Sequence, residues 1–369
     1  MNIHQCDANL YLPPYNVHIT STTNTTNKST HTTHMPSSSV STPAPTVHIV
    51  QPYNNQSLEY IARSLLAGGV AGSVAKTVIA PLDRVKILFQ GRNPYFTQYV
   101  GSWTGSIRAV GYIWNTEGIR GLYKGHSATL VRIFPYAALN YMCFEQYKRI
   151  LITDNTNTNT HLQRLLAGSL AGATSVFFTY PLDYVHSRMT YQVKLNKYQS
   201  ITQTINETMR NEGGVRALYR GFIPTLLGIV PYAGVSFYTY DTLKSTWLAY
   251  KIKQYKLHYN DSRQHTTPEL GIIERFLCGA TAGLSAQTAS YPLDVVRRRM
   301  QLKGLTADSI SYKSTLQGLR SILRTDGIRG MYIGLSINYI KAGPTHAVSF
   351  LTYEIMKQKL GIAEQVSTK

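Results

Sequence analysis

Pro-Leu-Asp recurs three times in this chain, as Ala80-Pro81-Leu82-Asp83, Tyr180-Pro181-Leu182-Asp183 and Tyr291-Pro292-Leu293-Asp294, with the aspartates 100 and 111 residues apart. Each copy is the second of four elements that always follow in one order. Ahead of it lies a small-residue apolar run with Gly-x-x-x-Gly spacing: Gly68 and Gly72, Gly168 and Gly172, Gly279 and Gly283. Behind it comes an acidic-Gly block ending in aromatic-x-Gly: Glu117-Gly118 to Tyr123-Lys124-Gly125, Glu212-Gly213-Gly214 to Tyr219-Arg220-Gly221, and Asp326-Gly327 to Tyr332-Ile333-Gly334. The unit closes on Phe144-Glu145-Gln-Tyr-Lys148, Tyr240-Asp241-Thr-Leu-Lys244 and Tyr353-Glu354-Ile-Met-Lys357. A period near 100 residues is too long for solenoid repeats, so each unit must hold several helices.

The apolar stretches around each motif run about 16–20 residues, marginal for a membrane span. Single charges interrupt them, which accounts for a mean hydropathy of only −0.17. Charges survive in a span when they face one another or a water-filled cavity. Gly-x-x-x-Gly puts two glycines on one helical face, where backbones can approach closely, and helix packing is their simplest role. The proline of each Pro-Leu-Asp removes a backbone hydrogen bond and kinks its helix, which a membrane bundle tolerates because neighbours satisfy the freed groups. Asp83 and Lys86 lie three residues apart on one helical face. One such pair would read as a surface ion pair. Threefold recurrence beside an embedded proline argues against that.

Composition narrows the reading. The formal charge is +19, and the first 56 residues carry one Lys (Lys28) and one Asp (Asp7), so the excess lies in residues 57–369. Such an excess fits nucleic acid, an anionic membrane surface or an anionic solute. No dense basic stripe or nucleic-acid module is present, so nucleic acid is not an expected partner. The Ser/Thr/Asn/His/Pro composition of 21–41 cannot bury a core, and residues 1–56 are expected to be a disordered low-complexity tail. Cys6, Cys143 and Cys278 have no metal or redox spacing, in keeping with a reducing compartment. The start of the chain lacks a charged-then-apolar block, and its first arginine is Arg63, so neither a secretory signal nor an Arg-rich presequence is expected and any organellar import would use internal signals.

These motifs resemble the mitochondrial carrier family, whose repeat signature is P-x-[DE]-x-x-[KR] followed by an acidic-Gly, aromatic-basic-Gly block. The resemblance covers roughly residues 57–361. It implies an all-α membrane fold in the mitochondrial inner membrane: six transmembrane helices in three tandem two-helix repeats, a threefold pseudosymmetric barrel with short matrix helices, working by alternating access. The expected repeats are 57–155, 156–265 and 266–369. The motif carries over as a matrix gate of Asp83, Lys86, Asp183, Asp294 and Arg297, paired between neighbouring repeats when the carrier is open to the cytosol, with Gln90 and Gln301 bracing the pairs. His186 stands where Lys or Arg is the rule and Thr190 where a bracing Gln is the rule, so two full ion pairs and one weak hydrogen bond are expected there; Ile333 replaces a basic residue in the third block. The cytosolic gate is expected from Glu145, Lys148, Asp241, Lys244, Glu354 and Lys357. The resemblance further implies a monomer in the lipid bilayer, cardiolipin among its lipids.

In this family substrate is read chiefly on the even-numbered helices. Thirteen residues before each cytosolic acid stand Arg132, Gly228 and Lys341. Gly228-Ile229 resembles the adenine slot of nucleotide carriers, although glycine is common in membrane helices. Arg132 offers forked donors for phosphate and Lys341 a second point charge. Lys76 matches a phosphate-contacting lysine of adenine nucleotide carriers. Asn140 and Tyr232 align with cavity positions and could equally pack between helices. The ADP/ATP subgroup hallmark of three Arg and three Met is broken, because Arg297-Arg298-Arg299-Met300 continues as Gln301-Leu302. Longer stretches, among them Ala75-Lys76-Thr77, Gly125 to Ala137, Pro231 to Phe237 and Gly334 to Lys341, resemble the coenzyme A carrier group, which includes the Graves disease carrier. Coenzyme A contains a 3′-phosphorylated ADP moiety, which suits an adenine slot among cations. A carrier for ATP-Mg, ADP or thiamine pyrophosphate on the same fold is the alternative, and a helical scaffold a remote one. No nucleotide-binding loop, H-E-x-x-H or nucleophile elbow occurs, so no enzyme, catalytic residue, metal or cofactor is expected. Residues Lys251–Pro268 read as a loop.

Overall fold

A computed structural model describes residues 58–102, 104–151, 160–193, 200–258, 270–305, 312 and 314–362. The tail 1–56 lies outside the described residues. In chain order the helices are α1 (Leu58–Gln90), α2 (Gly105–Leu122), α3 (His126–Leu151), α4 (Thr160–Tyr191), α5 (Ile201–Asn211), α6 (Val215–Leu218), α7 (Phe222–Leu227), α8 (Ile229–His258), α9 (Ile272–Gln301), α10 (Thr315–Met331) and α11 (Leu335–Lys359).

Three copies of one motif account for the list. A long helix carries an internal proline, Pro81 in α1, Pro181 in α4 and Pro292 in α9. A short segment follows, and a second long helix returns. Glycines at +65° to +71° in φ (Gly118, Gly214, Gly327) break each short segment after its acidic residue. In the first and third repeats the break lies inside α2 and α10, and in the second it separates α5 from α6. Ser200 and Ser314 cap α5 and α10, accepting bonds from Gln203 and Gln317 amides at 3.2 Å.

Ring closure follows from the packing. α3 lies along α4, α8 along α9, and the last long helix, α11, along the first, α1. Six long helices, counting α7–α8 as one, therefore form a closed barrel in three two-helix repeats. The usual distribution of side chains is inverted. Leu66, Val74, Val78, Phe177, Phe178, Ile273, Phe276, Val131, Phe237 and Phe350 face outward, while Lys76, Arg84, Lys86, Arg132, Asp183, Arg188, Asp294, Arg297, Arg299 and Lys341 are buried. An apolar exterior around a charged axis suits a barrel whose solvent is lipid. By length and hydropathy alone, 59–90, 163–191 and 215–254 are apolar enough to cross a bilayer. The inward charges dilute the other three.

One expectation is corrected. Lys251–His258 is not loop but the last two turns of α8. The stretch Lys-Ile-Lys-Gln-Tyr-Lys-Leu-His contains no Gly or Pro to stop it. Lys251 pairs with Glu274 of α9 at 2.6 Å, and Gln254 donates to the Tyr250 hydroxyl one turn back. Residues 259–268 of that expected loop lie outside the described residues.

Candidate functional site

Each repeat grips the next at the motif end. Gly125, Gly221 and Gly334 begin the returning helices at φ +81° to +86°, backbone that glycine adopts without a Cβ penalty. A Cβ on Gly125 would come within 3.1 Å of the His186 carbonyl, and one on Gly221 within 2.9 Å of the Arg297 carbonyl; on Gly334 it would meet the Tyr291 hydroxyl at 3.0 Å and the Lys86 side chain. Repeat 1 thus seats on 2, 2 on 3 and 3 on 1, with Tyr180 and Tyr291 of their own repeats also against Gly221 and Gly334. Buried arginines run the same circuit. Arg188 donates to the carbonyls of Gln301 and Lys303 and pairs with Glu212. Arg299 donates to the Gln90 carbonyl and pairs with Asp326 at 2.7 Å. Arg84 donates to the carbonyls of Thr190 and Gln192 and pairs with Glu117 at 2.7 Å. The arginines satisfy the last carbonyls of the neighbouring helix, which lack helical partners. Lys124, in the turn before α3, also lies 3.8 Å from Glu117, and burial lowers its pKa against that attraction.

Sequence reasoning missed this ring. Arg188 and Arg299 each stand five residues after their Pro-Leu-Asp aspartate, a repeat that could have flagged them. In repeat 1 that place is the core residue Leu88, and Arg84, one residue after Asp83, reaches the same acid from another register.

Above the ring sit the expected gate residues. Arg297 binds Asp183 at 2.5 Å, linking the third repeat to the second. Gln301 donates to Asp183 at 2.9 Å and to the Tyr180 hydroxyl at 3.0 Å, and Tyr180 donates to the Arg220 carbonyl. Gln90 donates to the Tyr291 hydroxyl, which donates to the Ile333 carbonyl at 2.7 Å. Lys86 lies 5.5 Å from the Tyr291 ring centre and within electrostatic range of Asp294. These are buried groups that must be paired to be tolerated.

The sector between repeats 1 and 2 is built smaller. Ala80 takes the place of Tyr180 and Tyr291, His186 that of a basic residue and Thr190 that of Gln. Tyr219 and Tyr332 stack on those tyrosines at 5.9 and 6.3 Å between ring centres, whereas the aligned Tyr123 meets His126 edge-on. Thr190 itself donates to the Lys124 carbonyl, doing the work of the missing tyrosine hydroxyl. A small recess remains, lined by Lys76, Ala80, Asp83, Lys124, His126 and His186 among others. Among the described residues His186 makes no ion pair. Asp83 is bound instead by Lys341 at 2.5 Å.

The residues expected to read substrate meet these carboxylates. Arg132, Gly228 and Lys341 are each the sixth residue after the glycine-started turn residue His126, Phe222 or Leu335, ~9 Å up the helix at about 1.5 Å per residue. Antiparallel packing brings them level with the gate. Arg132 lies 3.4 Å from Asp183, Lys341 holds Asp83, and Lys76 is within electrostatic range of Asp83. Gly228 is buried where the second returning helix is interrupted between α7 and α8; Tyr232 is buried, and Ile229 and Asn140 are half-buried. At the opposite end, Lys148 lies 3.9 Å from Glu145 on its own helix. Asp241 and Lys244 are exposed, and Glu354 and Lys357 half-buried.

Comparison with known proteins agrees with this architecture. The family model described as mitochondrial carrier protein matches residues 57–155, 157–251 and 268–363. The chain is 45% identical to solute carrier family 25 member 16 of Bos taurus over 304 residues, covering 81% of this chain and 89% of the relative. It is 42% identical to mitochondrial carrier protein CoAc1 of Zea mays, covering 83% and 89%. Against the mitochondrial adenine nucleotide transporter ADNT1 of Arabidopsis thaliana it is 39% identical, covering 83% and 89%. The chain belongs to the mitochondrial carrier family, multi-pass transporters of the mitochondrial inner membrane.

Proposed function

We propose that the chain carries coenzyme A, or a closely related adenine-nucleotide-like anion, across the inner membrane by alternating access, with no catalytic chemistry of its own. The observation that carries this reading is the convergence of Arg132, Lys341 and Lys76 on the gate carboxylates Asp183 and Asp83. Three buried cations along a barrel axis suit an anion bearing several phosphates. Arg132 provides a fork for bidentate phosphate binding, and Lys76 and Lys341 provide point charges. Gly228, with Ile229 beside it, leaves room for a planar base against an apolar face. The buried charges at the motif end, against exposed or half-buried ones at the other, support a form closed to the matrix and open to the cytosol. In that form Asp83, Lys86, Asp183, Asp294, Arg297, Gln90 and Gln301 act as the matrix gate. Closing the other end would bring Glu145, Lys148, Asp241, Lys244, Glu354 and Lys357 together while the matrix set parts. A ligand shifts such an equilibrium only by its differential affinity for the two forms.

Similarity to a relative named as an adenine nucleotide transporter favours one second reading, an adenine nucleotide as the physiological solute. Purified protein in liposomes separates the two. Uptake of labelled coenzyme A, outcompeting ADP and thiamine pyrophosphate, is the expected result. Uptake of ADP without coenzyme A would establish the second reading and overturn the first.

A further inference from the structure

We infer that Lys341 is the third bridge of the matrix gate as well as a substrate cation, so that the substrate unlocks the sector between repeats 1 and 2 by taking its latch. This rests on the transport reading above and adds a residue role to it. In a threefold gate each acid of the Pro-Leu-Asp motif has a cation from the neighbouring repeat. Asp183 has Arg297 at 2.5 Å, and Asp294 has Lys86 within electrostatic range. Asp83 would look to position 186, which is histidine, and it is held instead by Lys341 Nζ at 2.5 Å from the adjoining helix α11.

The rest of that sector is reduced in the same direction. Ala80 and Thr190 replace the tyrosine and glutamine that brace the others, and the recess they leave opens beside Asp83 and His186. The cation that compensates is one of the three that the substrate needs. Arg132 at Asp183 is a weaker parallel, at 3.4 Å and with Arg297 remaining in place. A polyanion entering from the open end therefore competes with Asp83 for Lys341. Once Lys341 turns to the substrate, Asp83 keeps Lys76 nearby but loses its only ion pair among the described residues, and this sector parts first. The other two sectors keep cations dedicated to the gate.

The test uses His186→Arg, which gives Asp83 its own cation and frees Lys341. In exchange assays with whichever of coenzyme A or ADP the liposomes take up, the variant should lower kcat several-fold and lower KM as well. The gate becomes harder to open, and Lys341 no longer has to leave a carboxylate to bind. An unchanged or raised KM overturns the inference. Thermal unfolding of the detergent-solubilised protein without substrate gives an independent reading. Lys341→Gln should lower Tm by a few degrees in the natural chain and hardly at all in the His186→Arg chain. Equal losses in both backgrounds overturn it. If Lys341→Gln does not fold, Asp83→Asn takes its place in the natural chain: it should lower Tm by a few degrees by stranding Lys341, and an unchanged Tm overturns the inference. These outcomes do not depend on which anion is carried, so failure of the coenzyme A assignment and failure of the latch are separately visible.

Discussion

Gly221→Ala measures how much the circuit between repeats matters. Gly221 sits at φ +86° at the start of α7, and an added Cβ would stand 2.9 Å from the Arg297 carbonyl and 2.9 Å from the Tyr180 hydroxyl. Left-handed backbone costs an L-residue roughly 1–2 kcal/mol. Overpacking against a carbonyl that cannot move without α9 adds about 1–3 kcal/mol. The expected loss is then about 2–5 kcal/mol, which for a chain of this size lowers Tm by roughly 3–8 °C. Gly234→Ala is the control, because its Cβ meets nothing within 4 Å and its φ is not positive; it should be neutral or stabilise slightly. Both are read by thermal unfolding in detergent, with exchange rates in liposomes alongside. Because the Arg297 carbonyl belongs to the helix that carries the Asp183 partner, exchange should also slow in Gly221→Ala. A Tm within a degree of the natural chain would refute the claim that these turns seat one repeat on the next.

Arg188→Met leaves Glu212 to Arg220 alone and takes the donor from two main-chain carbonyls at the end of α9, and should cost about 1–3 kcal/mol in unfolding experiments; Arg84→Met, which leaves Glu117 to Lys124, should cost as much despite its different register. The triple variant Ala80→Tyr, His186→Arg, Thr190→Gln makes all three sectors alike. It should raise Tm and slow exchange by on the order of tenfold, the effect of about 1.4 kcal/mol on the opening barrier. Gly228→Leu fills the space expected for a planar base and should raise KM for coenzyme A by at least about tenfold, a loss of the order of 1–3 kcal/mol, and at this buried position it should lower Tm as well.

The repeat made the architecture legible because three copies of a kinked, glycine-paired, charge-bearing unit leave few other ways to bury their charges. His186 and Thr190 were visible as departures from their own repeats. Ala80 was equally visible beside Tyr180 and Tyr291, but its consequence, a recess beside an Asp83 that Lys341 holds from α11, depends on how high α11 stands against α1. Sequence spacing does not give that height. The arginine ring escaped for a related reason: Arg84, Arg188 and Arg299 act on main-chain carbonyls about 100 residues away, and carbonyls carry no residue identity. The end of α8 was misread because a lysine-rich, strongly polar stretch passes for a loop when no partner is in view. Glu274 of α9 supplies that partner through Lys251.

The account turns on a polar, water-filled axis that is sealed at the Pro-Leu-Asp end and open at the other. Its most direct test is thiol labelling in mitoplasts, with the native cysteines replaced by serine. A cysteine at Asn140, half-buried above the gate, should react with a membrane-impermeant maleimide added from the cytosolic face, and coenzyme A should slow that reaction; a cysteine at the fully buried Ser187 should stay unlabelled. Equal labelling at both positions, or none at Asn140 until the membrane is breached, would contradict the account.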